Sequence, residues 1–324
     1  MSISWRRFGP RFTRGAFVAT LAAASGAGCQ QSVAVDRPRP VLRVATAFGP
    51  LTEPLTAEYR RTLTHLDVQS VRAPNSSDVI QALQKGTADL GVAFTNETYE
   101  GYWSARDPKG SASEGILGVA LLQPLPQYLL VRPKSGIHNA ADLKGRIVGV
   151  GPEGTSSSTL GRLVAAAFDV GPSSIRVIST RAEAAECLRD GSVDAVFLPG
   201  YVYPDEVMRS ALREGAYLVP VEGAPIDRLR QEHPFVRATT IPRNVFPGQD
   251  RIVPTVGIDM MVVCRRDLDE SIVYEVTKQL FVAFPRLSSV EASLRFLNFE
   301  EAAATPIPLH PGAARYFRER ELSR

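Results

Sequence analysis

One pattern occurs twice in this chain and limits what it can fold into. Residues 79–93 read VIQALQKGTADLGVA and residues 184–198 read AAECLRDGSVDAVFL. Leu83, Gly86 and Asp89 of the first copy answer to Leu188, Gly191 and Asp194 of the second. Each copy predicts an amphipathic helix that ends at a glycine free to take the left-handed C-cap. A two-residue turn then leads to an aspartate and an apolar strand. Any helix–strand unit has something of this pattern, but two copies at separated places point to two similar lobes.

Strands and helices alternate around these units. The pattern predicts strands at 41–46, 68–72, 90–94, 116–122, 128–131, 147–151, 175–178, 195–198 and 255–264. Helices are expected at 51–63, 77–85, 157–168, 182–189, 271–284 and 313–322. Such alternation gives an α/β fold of mostly parallel sheets covered by helices, and 324 residues suffice for two cores. We assign 41–127 with 256–324 to lobe 1 and 128–255 to lobe 2, with the crossing strands as the hinge. Ligands of open α/β sheets bind beyond the carboxyl ends of strands, so two facing lobes make one interlobe cleft.

The chain starts with a leader. Residues 1–28 hold Arg6, Arg7, Arg11 and Arg14 and no acid. The apolar stretch at 15–28 is shorter than the ~20 residues that cross a bilayer as a helix. This is the pattern of a secretory signal peptide. Its end, Ser25-Gly26-Ala27-Gly28-Cys29, resembles a lipobox in which Cys29 is acylated and becomes the mature N-terminus. Gly26 stands where that motif prefers an aliphatic residue, so simple cleavage near Ala22–Ala24 remains the alternative. The Arg6-Arg7 pair also hints at twin-arginine export. Residues 29–40 are a polar, Pro-containing tether. The expected location is the periplasm or extracytoplasmic face, as a membrane-anchored lipoprotein if Cys29 is acylated. Without the leader's arginines, 33 basic residues face 34 acidic ones, a net charge of −1 rather than +3. No broad basic field remains, and no nucleic-acid partner is expected.

The clearest local signal is GVGPEGTSSS at 149–158, between a strand and a helix. Gly149, Gly151 and Gly154 permit close backbone approach. Thr155, Ser156 and Ser157 offer hydroxyls and free N–H groups where the helix dipole is positive, which suits an anion. No Lys follows the glycines as a P-loop requires, and the ribose-binding acid of a dinucleotide site is missing. An ordinary N-cap would carry the same letters. The turn PNSSD at 74–78 offers the same chemistry from the other lobe, through Asn75, Ser76 and Ser77. Thr46, and Thr95 with Asn96, end strands at the carboxyl side. Tyr201, in PGYVYP, either walls the cleft with its ring and hydroxyl or packs a loop. The guest expected from these turns is a small anionic solute.

Enzymatic constellations are missing from the sequence. His65, His138, His233 and His310 are scattered, and there is no HExxH, CxxC or GxSxG. Neither an enzyme nor a cofactor or metal is expected. The pairs Asp267/Asp269 and Glu300/Glu301 read as solvated charge, and His310 as the residue that starts the last helix. Cys187 and Cys264 lie in apolar stretches and read as buried thiols, although the sequence leaves a disulfide open.

Several stretches in order resemble the TAXI-type solute receptors of TRAP transporters: NSSDVIQALQKGTADLGVAFTNETYEGY, DLKGRIVGVGPEGTSSSTLGRLV, VDAVFLPGYVYP, DRIVPTVGIDMMVVCRRDLDESIVYEVTKQLF and the ending IPLHPGAARYFRE. The resemblance covers roughly 41–324. It implies a periplasmic-binding-protein-like fold of class II type, closure around a glutamate- or dicarboxylate-like guest, and delivery to TRAP permease subunits in the membrane. The family's Gly-Ser-rich turn falls on Gly154 to Ser157, and its small-residue-plus-Asn turn on Asn75 to Ser77. The sequence departs at Ala47 to Leu51, where Phe48 replaces the family's Gly-rich, Tyr-containing turn and favours a less polar guest. An ABC importer or a sensory system for another small anion is the alternative setting.

Overall fold

Two sheets of the same strand order are joined edge to edge in the computed structural model, which describes residues 38–47, 49–104, 115–200, 206–246, 248–290 and 299–322. The first half of the chain builds β1 (Val41–Thr46), α1 (Gly49–Thr62), β2 (Asp67–Arg72), α2 (Ser76–Gln84), β3 (Leu90–Phe94), α3 (Thr95–Ser104) and the long β4 (Ile116–Val131). Then come β5 (Val148–Val150), α4 (Ser156–Ala167), β6 (Ile175–Val177), α5 (Arg181–Asp190) and β7 (Ala195–Pro199). The remainder is α6 (Glu206–Arg213), β8 (Tyr217–Leu218), α7 (Ala224–Glu232), β9 (Arg237–Ile241), β10 (Val253–Arg265), α8 (Glu270–Val290) and α9 (Pro311–Leu322). All these elements belong to one compact unit, Arg39–Arg324.

The first sheet runs β2-β1-β3-β10-β4 and the second β6-β5-β7-β4-β8. In each, three parallel strands are followed by one antiparallel strand arriving from the other lobe: β10 beside β3, and β4 beside β7. The fold is therefore α/β and two-lobed, with β4 and β10 as the crossing strands. Apolar side chains fill both faces of each sheet. Leu42, Val44, Val262 and Cys264 pack under α1, α8 and α9, whereas Met261 and Val263 face Val79, Leu83 and Tyr102 of α2 and α3. Sides alternate along β10 because a strand has a period of two.

The repeated sequence unit has one structural meaning in both lobes. α2 and α5 end near glycines with positive φ, Gly86 at +69° and Gly191 at +77°, where a side chain would be strained. The aspartate that follows then braces the start of its sheet. Asp89 accepts from the Arg43 backbone N at 2.9 Å and from its guanidinium at 2.6 and 2.9 Å. Asp194 accepts from the Ile147 backbone N at 3.0 Å and from the Arg132 guanidinium at 2.9 and 3.0 Å. Arg265, at the end of β10, also reaches Asp89 at 3.4 Å, the counterpart of Arg132 at the end of β4.

One expectation needs correction here. The strands read at 116–122 and 128–131 are one strand, β4, which keeps Pro124 and Pro126 inside it. Pro lacks the ladder donor and belongs where a ladder breaks. Here β4 leaves β10 at Pro126 and joins β7 from Gln127. At the same point a Cβ on Gly257 would lie 2.7 Å from the Leu125 carbonyl oxygen, so only glycine lets the crossing strands come this close. The acidic pairs are solvated as read, with Asp267, Asp269, Glu300 and Glu301 all exposed, and three of them also hold local partners. Asp267 holds Arg265 at 2.5 Å, Asp269 accepts from the Ser271 N–H at 2.8 Å at the start of α8, and Glu301 pairs with Arg237. His310 does start α9: its carbonyl takes the Ala314 N–H at 2.9 Å and its Nδ1 takes that of Gly312.

Cys187 and Cys264 are free and buried, in the cores of different lobes. Among the described residues no helix is long and apolar enough to cross a membrane.

Candidate functional site

The helix starts beyond the carboxyl ends of β3 and β5 are where the lobes touch. α4 starts because the Thr155 side chain accepts the Ser158 N–H at 3.2 Å while its own hydroxyl donates to the Pro152 carbonyl at 2.7 Å. Gly154 takes φ +75° and brings the chain round. The Ser156 and Ser157 amides, in the first turn, are among the donors that a helix leaves without intrahelical partners, and they face the positive end of its dipole. Gln127 on β4 donates to both the carbonyl and the hydroxyl of Ser157 at 3.3 Å, which ties the crossing strand to this turn.

Opposite α4 stands the first turn of α3. β3 passes into α3 without a loop, so Thr95, Asn96 and Glu97 form one helical turn at the strand's carboxyl end. Thr95 is buried; its hydroxyl accepts the Asp259 N–H at 3.2 Å and donates to the Phe235 carbonyl at 3.4 Å. Glu97 reaches across the lobes, accepting the Ser156 hydroxyl on Oε1 at 2.6 Å. Its Oε2 is buried without a partner, and so is Oδ1 of Asn96, a residue only 2% exposed. Burial pushes the Glu97 carboxyl above its ordinary value, against the opposing pull of hydrogen bonds from Ser156, its own backbone and the Asn96 side chain. Tyr99 of α3 packs on Phe235 with ring centroids 5.7 Å apart, so the contact between lobes is apolar around a polar seam.

The sequence candidates divide accordingly. Ser156 and Ser157 stand at the seam, and Thr95 stands beside it. Ser76 is buried and accepts the Phe94 N–H at 3.0 Å, which places it against the start of α3. Asn75 spends its side chain capping α2, accepting from Asp78 at 2.9 Å, and Ser77 is exposed. Thr155 and Gly154 are exposed as well. Thr46 turns its hydroxyl to the Val71 carbonyl at 3.3 Å, within its own sheet. Among the described residues no hydrogen bond joins the 74–78 turn to the 151–158 turn; the partner of α4 is α3. Tyr201, Phe48 and Cys29 lie outside the described residues, as does the leader. Sequence reasoning took Thr95 and Asn96 as a strand end, and passed over Glu97 and Gln127. The signal for Glu97 was an acid two residues after a threonine at a strand end, TNE, the letters of a helix start.

A second polar cluster lies behind the crossing strands. Arg237 of β9 donates to Asp259 at 2.8 Å and also pairs with Glu301. A cavity of roughly 200 Å³ adjoins it, lined also by Leu121, Leu122, Pro124 and Gly257. Burial raises the Asp259 carboxyl to about 6 in spite of Arg237. Because Arg237 is already shared by two carboxylates, this cavity offers no cation to an anionic guest.

The sequence pattern of the NMT1-like family matches residues 55–320. In fold the chain is similar to XAC2383 from Xanthomonas citri, solved with bound chloride ion (12% identity, 87% of this chain and 99% of that one, TM-score 0.52). The same protein bound to ATP gives 13% identity, 87% and 98% coverage and a TM-score of 0.51. The periplasmic aliphatic sulphonate-binding protein SsuA from Escherichia coli is also similar, with 18% identity, 86% and 83% coverage and a TM-score of 0.48. At such identities the likeness to XAC2383 is one of fold alone.

Proposed function

We propose, because this chain belongs to the NMT1-like family, that it is an extracytoplasmic solute-binding receptor which closes its lobes on a small polar solute and hands it to a membrane transporter. The observation that carries this reading is the Glu97–Ser156 hydrogen bond, which joins helix starts beyond the carboxyl ends of β3 and β5, where open α/β sheets receive ligands. We take 41–127 with 256–324 as one jaw and 128–255 as the other. The guest's carboxylate would sit on the Ser156 and Ser157 amides, where dipole and donors act together. Closure then removes water and strengthens each bond.

An ABC-type importer is the working transporter class, with a TRAP-type permease as its rival. The TAXI-type resemblance rests on short stretches of sequence, whereas the match over 55–320 is to the NMT1-like family as such. Acylation at Cys29 would hold the receptor at the membrane beside either transporter. Calorimetry and thermal-shift screening of the purified body against carboxylates, amino acids, sulphonates and phosphonates test the proposal. At least one class should raise the melting temperature and contract the scattering radius. A panel with no binder would count decisively against a receptor.

A further inference from the structure

The crossing strands hold a buried carboxylate that takes no part in the α3–α4 seam. β10 leaves β9 at Gly257, opposite Arg237, and joins β3 at Met260, opposite Phe94. Asp259 lies between the two ladders, where the strand changes partner on that edge, and its N–H goes to the Thr95 hydroxyl. Its carboxylate is 2% exposed and takes the Arg237 guanidinium at 2.8 Å. Glu301, 49% exposed, takes the same guanidinium. Arg237 belongs to the jaw taken as 128–255, and both acids belong to the other. Next to Glu301, Ala302 packs in the core of that other jaw, and its carbonyl accepts the Leu121 N–H at 2.8 Å. The cluster therefore spans the hinge, and two carboxylates share one cation. Among the described residues lining the adjoining cavity, these three are the charged ones; β4 adds Leu121, Leu122 and Pro124, and the rest of β9 is uncharged. Glu97, the acid in the first turn of α3, is engaged with Ser156.

We propose that Asp259, Arg237 and Glu301 form a proton-operated brace across the hinge, which holds the jaws together when Asp259 is protonated and lets them part when it is ionised. The inference rests on the two jaws of the receptor reading, and adds a control that acts away from the solute. With both acids ionised the cluster carries one uncompensated negative charge, and on the Asp259 side that charge is shielded from water. One proton on Asp259 leaves Arg237 and Glu301 as a neutral pair that still joins the jaws. Rotation of the jaws draws Arg237 away from Asp259 and opens the carboxyl to water, where it ionises readily. Burial raises the carboxyl to about 6 in the closed arrangement, while Arg237 lowers it and Glu301 raises it further. The closed form thus holds the proton more tightly than the open one. Acid favours closure, and the advantage is lost as pH rises through 6.

The test is small-angle scattering of the purified, unliganded protein across this pH range. With the carboxyl near 6 when closed and at its ordinary value when open, the closed-to-open ratio should rise about tenfold from pH ~7.5 to ~5. The radius of gyration should fall accordingly. Asp259→Asn, which cannot ionise, should keep the compact radius throughout. Glu301→Gln removes an exposed acid and leaves Arg237 to Asp259 alone, so the fall should move to lower pH, a displacement that a merely structural ion pair would not give. Should Asp259→Asn fail to fold, wild type and Glu301→Gln decide. A wild-type radius that stays flat, a fall that is equal in Asp259→Asn, or one that Glu301→Gln leaves in place overturns the inference; contraction by any member of the solute panel would then leave the receptor reading standing. If the panel is silent while the wild-type radius follows pH and that of Asp259→Asn does not, the receptor reading falls and the brace between the jaws stands.

Discussion

The two aspartates of the repeated unit allow the equivalence of the lobes to be weighed. Asp89 has a side chain only 7% exposed and faces Arg43 and Arg265, which are 33% and 24% exposed. Removing one partner of a buried ion pair costs about 3–5 kcal/mol, because the other charge is left uncompensated. Both arginines can turn partly to water, so the lower end applies and Asp89→Ala should cost about 3 kcal/mol. Asp194 is 15% exposed and faces one arginine, Arg132, that is 32% exposed. Its loss also strips an acceptor from the Ile147 N–H, and about 2 kcal/mol is expected. For a chain of this size each kcal/mol moves the melting temperature by about 2–4 °C. Scanning calorimetry should therefore show falls of roughly 6–12 °C for Asp89→Ala and 4–8 °C for Asp194→Ala. In Arg43→Ala/Asp89→Ala the double-mutant coupling should recover part of the loss. An Asp89→Ala protein melting within about 1 °C of wild type, or a reversed order of the two variants, would refute the bracing role.

Ser156→Ala removes the donor that Glu97 holds across the lobes. It should lower stability by roughly 2 kcal/mol and enlarge the unliganded protein's radius in small-angle scattering; no change in either would mean that Tyr99–Phe235 packing alone keeps the lobes together. Asp259 has its carboxyl raised to about 6, so the stability its protonated form confers is present below the ordinary Asp range and lost as pH rises through 6. Asp259→Asn cannot ionise, and between pH ~5 and ~7.5 its stability relative to wild type should move in its favour by about 1.4 kcal/mol; urea melts that track each other across this window would remove the argument. Gly257→Ala forces a methyl against the Leu125 carbonyl and should cost about 1–3 kcal/mol, read by the same melts; a neutral result would show that the crossing strands can part.

Much of the fold was legible because each lobe states its pattern locally. Alternating apolar strands, capped amphipathic helices and two Gly–x–x–Asp turns are written within spans of about 15 residues. The breaks in this reading have physical causes. β4 looks like two strands because Pro124 and Pro126 are strand breakers, and only the exchange of partners at the crossing makes room for them. α3 was not foreseen because TNETYEGYWS mixes polar and aromatic residues without a clear apolar face. Its buried residues, Thr95, Asn96, Thr98, Gly101 and Tyr102, include three polar ones, and one of these, Thr95, bonds the Phe235 carbonyl of the other lobe.

The same distinction explains the site. A helix start that can hold an anion is visible in GTSSS, since capping chemistry lies within four residues. What that start faces is a tertiary matter: Glu97 and Ser156 are 59 residues apart in sequence. Read alone, the serine-rich turn calls for a negative guest. Once Glu97 stands there, a carboxylate already belongs to the protein, and it takes the Ser156 hydroxyl. A helix N-terminus therefore gives the sign of what it attracts only after the groups across the seam have been counted.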